Sequence, residues 1–65
     1  MLVRELVESI KLMWPNAFGA DGLNLWVETY RDALKSYEGP VLEEAWKKAR
    51  AVAKHWPKPA DLFGS

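Results

Sequence analysis

The chain has no cysteine, a single histidine and no glycine-rich phosphate loop, and each absence excludes a class of function. Without cysteine there is no disulfide bond and no zinc site that depends on thiolate ligands. The single histidine, His55, has no carboxylate within sequence reach to orient it, which predicts a surface or helix-end residue that interacts with the helix dipole. Ser9, Thr29 and Ser36 have no visible activating base. We therefore expect a protein that is not an enzyme and that holds no cofactor or metal.

The chain also lacks a long apolar run and a recognisable signal peptide. This predicts a soluble cytoplasmic protein that makes no membrane contact. The sequence has 65 residues, 49% of them hydrophobic, and includes four tryptophans. A chain of this length closes one core, so residues 1–65 are expected to form a single helical domain.

The net charge is zero, but the two signs are separated along the chain. Residues 1–46 hold four basic and eight acidic side chains, whereas residues 47–65 hold five basic side chains and only one acidic one, Asp61. Such a dipolar distribution can steer an oppositely charged partner toward one end of the molecule.

Apolar residues at three- and four-residue spacing predict three amphipathic helices. These helices span Leu2–Trp14, Leu23–Tyr37 and Pro40–Trp56, and a short final turn spans Ala60–Phe63. Pro15 and Pro57 end the first and third helices, because the residue before a proline is pushed out of the α region. Gly39 suits the left-handed position after the second helix, and Pro40 suits the first turn of the third. The sequence thus predicts an all-α fold, a small three-helix antiparallel bundle with a short C-terminal helical turn.

Each predicted helix carries a core-facing stripe. The stripes comprise Leu2, Val3, Leu6, Val7, Ile10, Met13 and Trp14; then Leu23, Trp26, Val27, Tyr30, Ala33, Leu34 and Tyr37; then Val41, Leu42, Ala45, Trp46, Ala49, Val52, Ala53 and Trp56. In the first loop, Phe18 is predicted to fold back onto the core and Asp21 to cap the second helix. Leu12 and Leu25 lie outside the stripes. Local packing is expected for both, for Leu12 against Phe18 under the first loop, with an interaction or self-association patch as the alternative for Leu25. Gly64 and Ser65 suggest a frayed or artificial end.

A basic stripe distinguishes the third predicted helix. Lys47, Arg50 and Lys54 fall within about 60° of one another on this helix, and Lys58 lies beyond. The stripe is either a solvated face that complements the helix dipole or a contact surface for nucleic acid, since a basic third helix is similar in outline to helix-turn-helix proteins. Trp56 either closes the core against the first helix or stays partly open as a binding anchor.

Several spaced residues resemble a known family. Trp26 and Leu34 in one helix, Ala45 in the next, and then Trp56-Pro57-Lys58-Pro59-Ala60-Asp61-Leu62 resemble small phage replication proteins that load or inhibit DnaB-type replicative helicases. The resemblance covers roughly residues 6–62 and implies a compact helical N-terminal domain with an aromatic-proline exit and a capping turn. Family members continue into a flexible tail that engages the helicase, whereas this chain stops just after Phe63. Either such a tail was removed or the folded domain itself does the binding.

Together these observations predict a non-enzymatic protein-binding domain. The resemblance makes it a phage DNA-replication accessory protein that docks on a replicative helicase or initiator in the cytoplasm of a bacterial host. The predicted contact residues are Lys47, Arg50, Lys54, Trp56 and Lys58. The alternatives are a DNA-binding module that uses the third helix and a homodimer or subunit whose role is assembly. The sequence leaves the partner and the oligomeric state open.

Overall fold

The computed structural model describes residues 1–63, and within this range the protein is all-α, as predicted. The helices are α1 (Val3–Met13), α2 (Leu23–Leu34), α3 (Pro40–Val52) and α4 (Pro59–Phe63), and a 3₁₀ turn at Lys35–Tyr37 continues α2. None of the helices in this range is long and apolar enough to cross a membrane. The expectation for Gly64 and Ser65 lies outside the described residues.

The first helix, α1, supplies the centre of the core. Its buried residues are Val3, Leu6, Val7 and Ile10. The backbone N–H of Leu2 donates to the Glu5 carboxylate at 2.7 Å, which satisfies a donor that the first turn would leave free. α1 ends at Met13, one residue before the Trp14-Pro15 pair. It packs mainly against α2, whereas α3 packs mainly against α4.

The loop between α1 and α2 folds back onto the core, as predicted for Phe18. This residue is buried with a φ of 70°, and its ring stacks on Trp26 at a centroid distance of 4.8 Å. Lys11 fixes the loop, because its ammonium donates to the carbonyls of Pro15 (2.7 Å) and Ala17 (3.0 Å). Left-handed backbone is costly for a bulky residue, so burial and stacking must hold Phe18 in place.

Several local predictions are wrong. Gly22, not Asp21, occupies the cap position of α2, and no side chain caps that helix. Leu12 is 83% exposed and Leu25 is also exposed, so neither packs locally as expected. Six residues predicted to face the core are exposed as well: Leu2, Met13, Ala33, Tyr37, Val41 and Val52. The predicted stripes were therefore wider than the surface that a chain of this length can cover.

The third helix is shorter than predicted. It ends at Val52, and Ala53 already has extended backbone with φ −71° and ψ 133°. Pro57 and Pro59 have no N–H, so a helix continued through this segment would leave the carbonyls four residues earlier without partners. Pro57 is instead fully buried in a non-helical segment, residues 53–58, that bends at positions 54 and 55 and leads into α4.

The core is contiguous and draws on every helix. Its buried residues are Val3, Leu6, Val7, Ile10, Ala17, Phe18, Val27, Tyr30, Leu34, Leu42, Trp46 and Leu62. Of the tryptophans predicted to lie in the core, Trp46 is 2% exposed, whereas Trp14 and Trp26 are half-buried and pack against it.

Candidate binding surface

The non-helical segment after α3, residues 53–58, is held in place by Tyr30. The Tyr30 hydroxyl donates a buried hydrogen bond of 2.7 Å to the carbonyl of Pro57. Burial, and to a lesser extent the nearby Asp61 carboxylate, raises the pKa of Tyr30 to about 12. The phenol therefore stays protonated and able to donate, and the path of residues 53–58 is fixed from the core outward.

Trp56 packs against the core and stays partly open. It is half-buried and packs against the core, and its ring meets Phe18 edge-on at a centroid distance of 6.1 Å. The contact is thus with the first loop, whereas the predicted contact was with the first helix. Because Pro57 is buried next to it, Trp56 is held in position while part of its surface stays accessible.

Lys47 and Arg50 lie one turn apart on α3, and both are exposed. The Arg50 guanidinium lies 5.9 Å from the centre of the Trp46 ring, a cation–π contact. Trp46 is itself immobilised in the core and meets Trp14 edge-on at 6.5 Å. Arg50 is therefore a charged group that is partly ordered before any partner binds.

Lys54 and Lys58 occupy different surroundings. Lys54 follows the end of α3, so the predicted helical stripe of Lys47, Arg50 and Lys54 is wrong. Lys54 lines a groove of about 200 Å³ together with His55, whereas Lys58 lines a separate groove of about 470 Å³ beside Tyr37. The structure thus pairs Lys47 with Arg50 on one helix and does not gather all five predicted residues in one pocket.

His55 is exposed, and its Nδ1 lies 3.0 Å from the carbonyl oxygen of Trp56. It is therefore a surface residue, one of the two predicted alternatives, and lies three residues beyond the end of α3. Asp61 lines the same groove, but its carboxylate accepts the backbone N–H of Lys58 at 2.9 Å and so serves to start α4.

A second surface of α3 was not predicted from the sequence. Val41 is 58% and Val52 80% exposed, although both fall on the predicted core stripe. At about 100° per residue they point roughly 100–120° away from Leu42 and Trp46, which face the core. The signal was present in the width of the stripe, since its edge residues could not all be covered by two short neighbouring helices.

No group of three or more His, Cys, Asp or Glu side chains that could hold a metal ion occurs within residues 1–63. Comparisons of the chain with protein-family models, with curated proteins and with solved structures find no match. The functional proposal therefore rests on the geometry of the surface and on the sequence pattern.

Proposed function

We propose that this protein is a non-enzymatic protein-binding domain that contacts its partner through Lys47, Arg50, Lys54, Trp56 and Lys58. The observation that carries the proposal is the contact of Arg50 with the buried Trp46 ring at 5.9 Å. Arginine and tryptophan are enriched among interface residues that dominate binding energy. A guanidinium that is already ordered loses less conformational entropy on binding than a free one.

The charge distribution supports an acidic partner surface. Five of the nine basic residues lie in residues 47–65 against Asp61 alone, and Lys47, Arg50, Lys54 and Lys58 are all exposed. None of these four side chains forms an ion pair or hydrogen bond within the described part of the chain. Their charges are thus available to steer association and to pair across an interface.

The partner we propose is a DnaB-type replicative helicase or a replication initiator, with the protein acting as a phage-encoded replication accessory factor in a bacterial cytoplasm. Support comes from the order of its elements. Trp26 lies on α2, and the chain leaves α3 through Trp56-Pro57 before the short helix α4. The same order is implied by the resemblance to helicase loaders. We also propose an antiparallel arrangement of α1, α2 and α3 capped by α4, because short loops join these amphipathic helices.

The test is isothermal titration calorimetry, in which the protein is titrated into purified DnaB-type helicase. Replacing Arg50 by glutamate should weaken binding by about tenfold or more, because the variant places an acid against an acidic surface. Lys35→Glu is the matched control, since Lys35 is an exposed base on the 3₁₀ turn and carries the same charge change. Equal affinity of the Arg50 variant and wild type would refute the surface, and absence of wild-type binding would refute the helicase as partner.

A DNA-binding module is the second candidate, favoured by the adjacent exposed cations Lys47 and Arg50 on α3. Glu43 lies between them around the helix, at about 20° from Arg50, and weakens the potential there. Fluorescence anisotropy with labelled duplex DNA would decide the matter. DNA binding should fall steeply between about 50 and 200 mM salt, whereas no binding at the lower salt concentration removes this candidate.

A further inference from the structure

One face of α3, away from Lys47 and Arg50, carries two exposed valines beside two half-buried alanines that also pack against the core. We define the α3 outer face as Val41, Glu44, Ala45, Lys48, Ala49 and Val52. Val41 and Val52 are 11 residues apart, which is close to three full turns, so they point in nearly the same direction. They mark the two ends of the face and are exposed to 58% and 80%.

The α3 outer face borders two grooves. Its N-terminal half lines a groove of about 490 Å³ together with Leu62 and Phe63 of α4. Ala49 and Val52 in its C-terminal half line the groove of about 200 Å³ that also contains Lys54 and His55. The side chains between the two valines include the alanines at positions 45 and 49, which let another helix backbone approach closely. Helices packed on small residues reach the short end of the usual 8–10 Å separation.

The order of residues along this face is close to self-complementary. In an antiparallel copy whose two-fold axis passes beside the middle of α3, Val41 lies opposite Val52 of the second copy, and Ala45 lies beside the second copy's Ala49. Glu44 lies beside Lys48 of the second copy, and the same contacts occur again across the axis. A two-fold interface requires this match, because the same patch must complement itself.

We propose that the α3 outer face binds a second copy of this chain in an antiparallel, two-fold arrangement. The face has one acid, Glu44, and one base, Lys48, which can pair with the base and the acid of an antiparallel copy. A strongly charged partner would meet no excess of opposite charge on this face. The face is short, so the dimer forms at high protein concentration, in the manner of small interfaces. Arg50 lies on roughly the opposite side of α3 from Val41, so the dimer leaves Lys47 and Arg50 accessible.

Sedimentation velocity over about 10 µM to 1 mM protein measures the self-association. Wild type should move from monomer to dimer over this range, and Val52→Lys should weaken the dimer by about tenfold or more, because it buries a charge opposite a valine. Leu12→Lys is the matched control, since Leu12 is an equally exposed apolar residue on α1. A wild-type protein that stays monomeric throughout overturns the proposal, as does a Leu12 variant that disrupts the dimer as strongly as the Val52 variant.

A charge exchange tests the antiparallel register. Glu44→Lys and Lys48→Glu should each weaken the dimer, because each places like charges side by side at both symmetric contacts. The double variant Glu44→Lys/Lys48→Glu should restore it, since reversal of both signs in both copies recreates the pairs. Circular dichroism of each variant verifies that the helices are intact. A folded double variant that associates no better than the single ones contradicts the register.

Discussion

At the residue scale, Tyr30 links the core to the surface that carries the proposed function. Its ring is buried between the first loop and the non-helical segment after α3, and it meets Phe18 edge-on at 6.0 Å. Its hydroxyl is the donor that satisfies the carbonyl of Pro57. Buried polar groups are costly when unpaired, so this single hydrogen bond determines where residues 53–58 can run.

Replacing Tyr30 by phenylalanine should lower the free energy of unfolding by about 1–3 kcal/mol, because it leaves the Pro57 carbonyl buried without a donor. Tyr37→Phe is the control, since Tyr37 is exposed and stacks on Phe63 through its ring. Its effect should stay within about 0.5 kcal/mol. Urea unfolding monitored by tryptophan fluorescence measures both values, and equal effects would contradict the role of the hydroxyl.

The raised pKa of Tyr30 predicts a loss of stability in alkali. The pKa is about 12 in the folded protein and 10.0 in the unfolded chain, so the stabilisation is complete below pH 10 and is lost as the pH rises from 10 toward 12. In this window the free energy of unfolding should fall by up to about 1.4 kcal/mol per pH unit from this group. Absorbance at 295 nm of the Tyr37→Phe variant follows Tyr30 alone. A midpoint near 10 in the folded protein would contradict the burial of the phenol.

The sequence predicted that Tyr30 faces the core, because its position on the apolar stripe of the second helix requires it. It gave no indication of the partner of the hydroxyl, which lies 27 residues away. A long-range hydrogen bond depends on the path of a second segment, and no local spacing encodes that path.

At the element scale, two glycines stand at the starts of helices with different backbone conformations. Gly22 precedes α2 with φ −73°, whereas Gly39 precedes α3 with φ 111°. A Cβ added to either glycine would meet no atom within 4 Å. The two positions therefore differ in backbone strain and not in crowding.

Gly39→Ala should cost about 1–3 kcal/mol of stability, because L-residues rarely adopt a φ near 110°. Gly22→Ala also replaces a glycine at a cap position, where glycine is preferred to alanine, but it introduces no backbone strain. Its cost in stability should therefore be clearly smaller. Thermal unfolding of the two variants side by side measures the difference. Equal melting temperatures would show that Gly39 does not need its positive φ.

The end of α3 is the helix boundary that was predicted least well from the sequence. Periodicity continues through Ala53 to Trp56, so it predicts a helix up to Pro57. The structure ends the helix at Val52, because Tyr30 and the core hold Pro57 in a non-helical path. Lys54 thereby leaves the predicted basic stripe, and only Lys47 and Arg50 of the candidate surface keep the spacing that the sequence indicated.

At the scale of the whole molecule, the beginning of the chain is joined to the α2–α3 junction. The N–H of Gly39 donates to the carbonyl of Met1 at 2.8 Å, and the N–H of Val3 donates to the Glu38 carboxylate at 2.8 Å. The carboxylate thus satisfies a free donor at the positive end of α1. These bonds join segments that are 35 or more residues apart in the sequence.

Glu38→Ala should therefore lower the free energy of unfolding by about 1–3 kcal/mol, since it removes a charge-assisted acceptor from a partly buried N–H. Glu28→Ala, an exposed acid on α2, is the matched control and should change stability by less than about 0.5 kcal/mol. Chemical denaturation of both variants provides the comparison. A Glu38 variant as stable as the Glu28 variant would show that the contact contributes nothing to the fold.

The sequence by itself determined the all-α class, the start of each helix to within a residue, the burial of Phe18 and Trp46, and the separation of charge along the chain. These follow from local rules: apolar periodicity, proline and glycine chemistry, and the composition of each segment. Tertiary structure alone decided where α3 ends, which carbonyl accepts the hydrogen bond of the Tyr30 hydroxyl, and that Val41 and Val52 remain exposed. The physical reason is that a 65-residue chain can cover only part of its apolar surface, and which part is covered depends on contacts between distant segments.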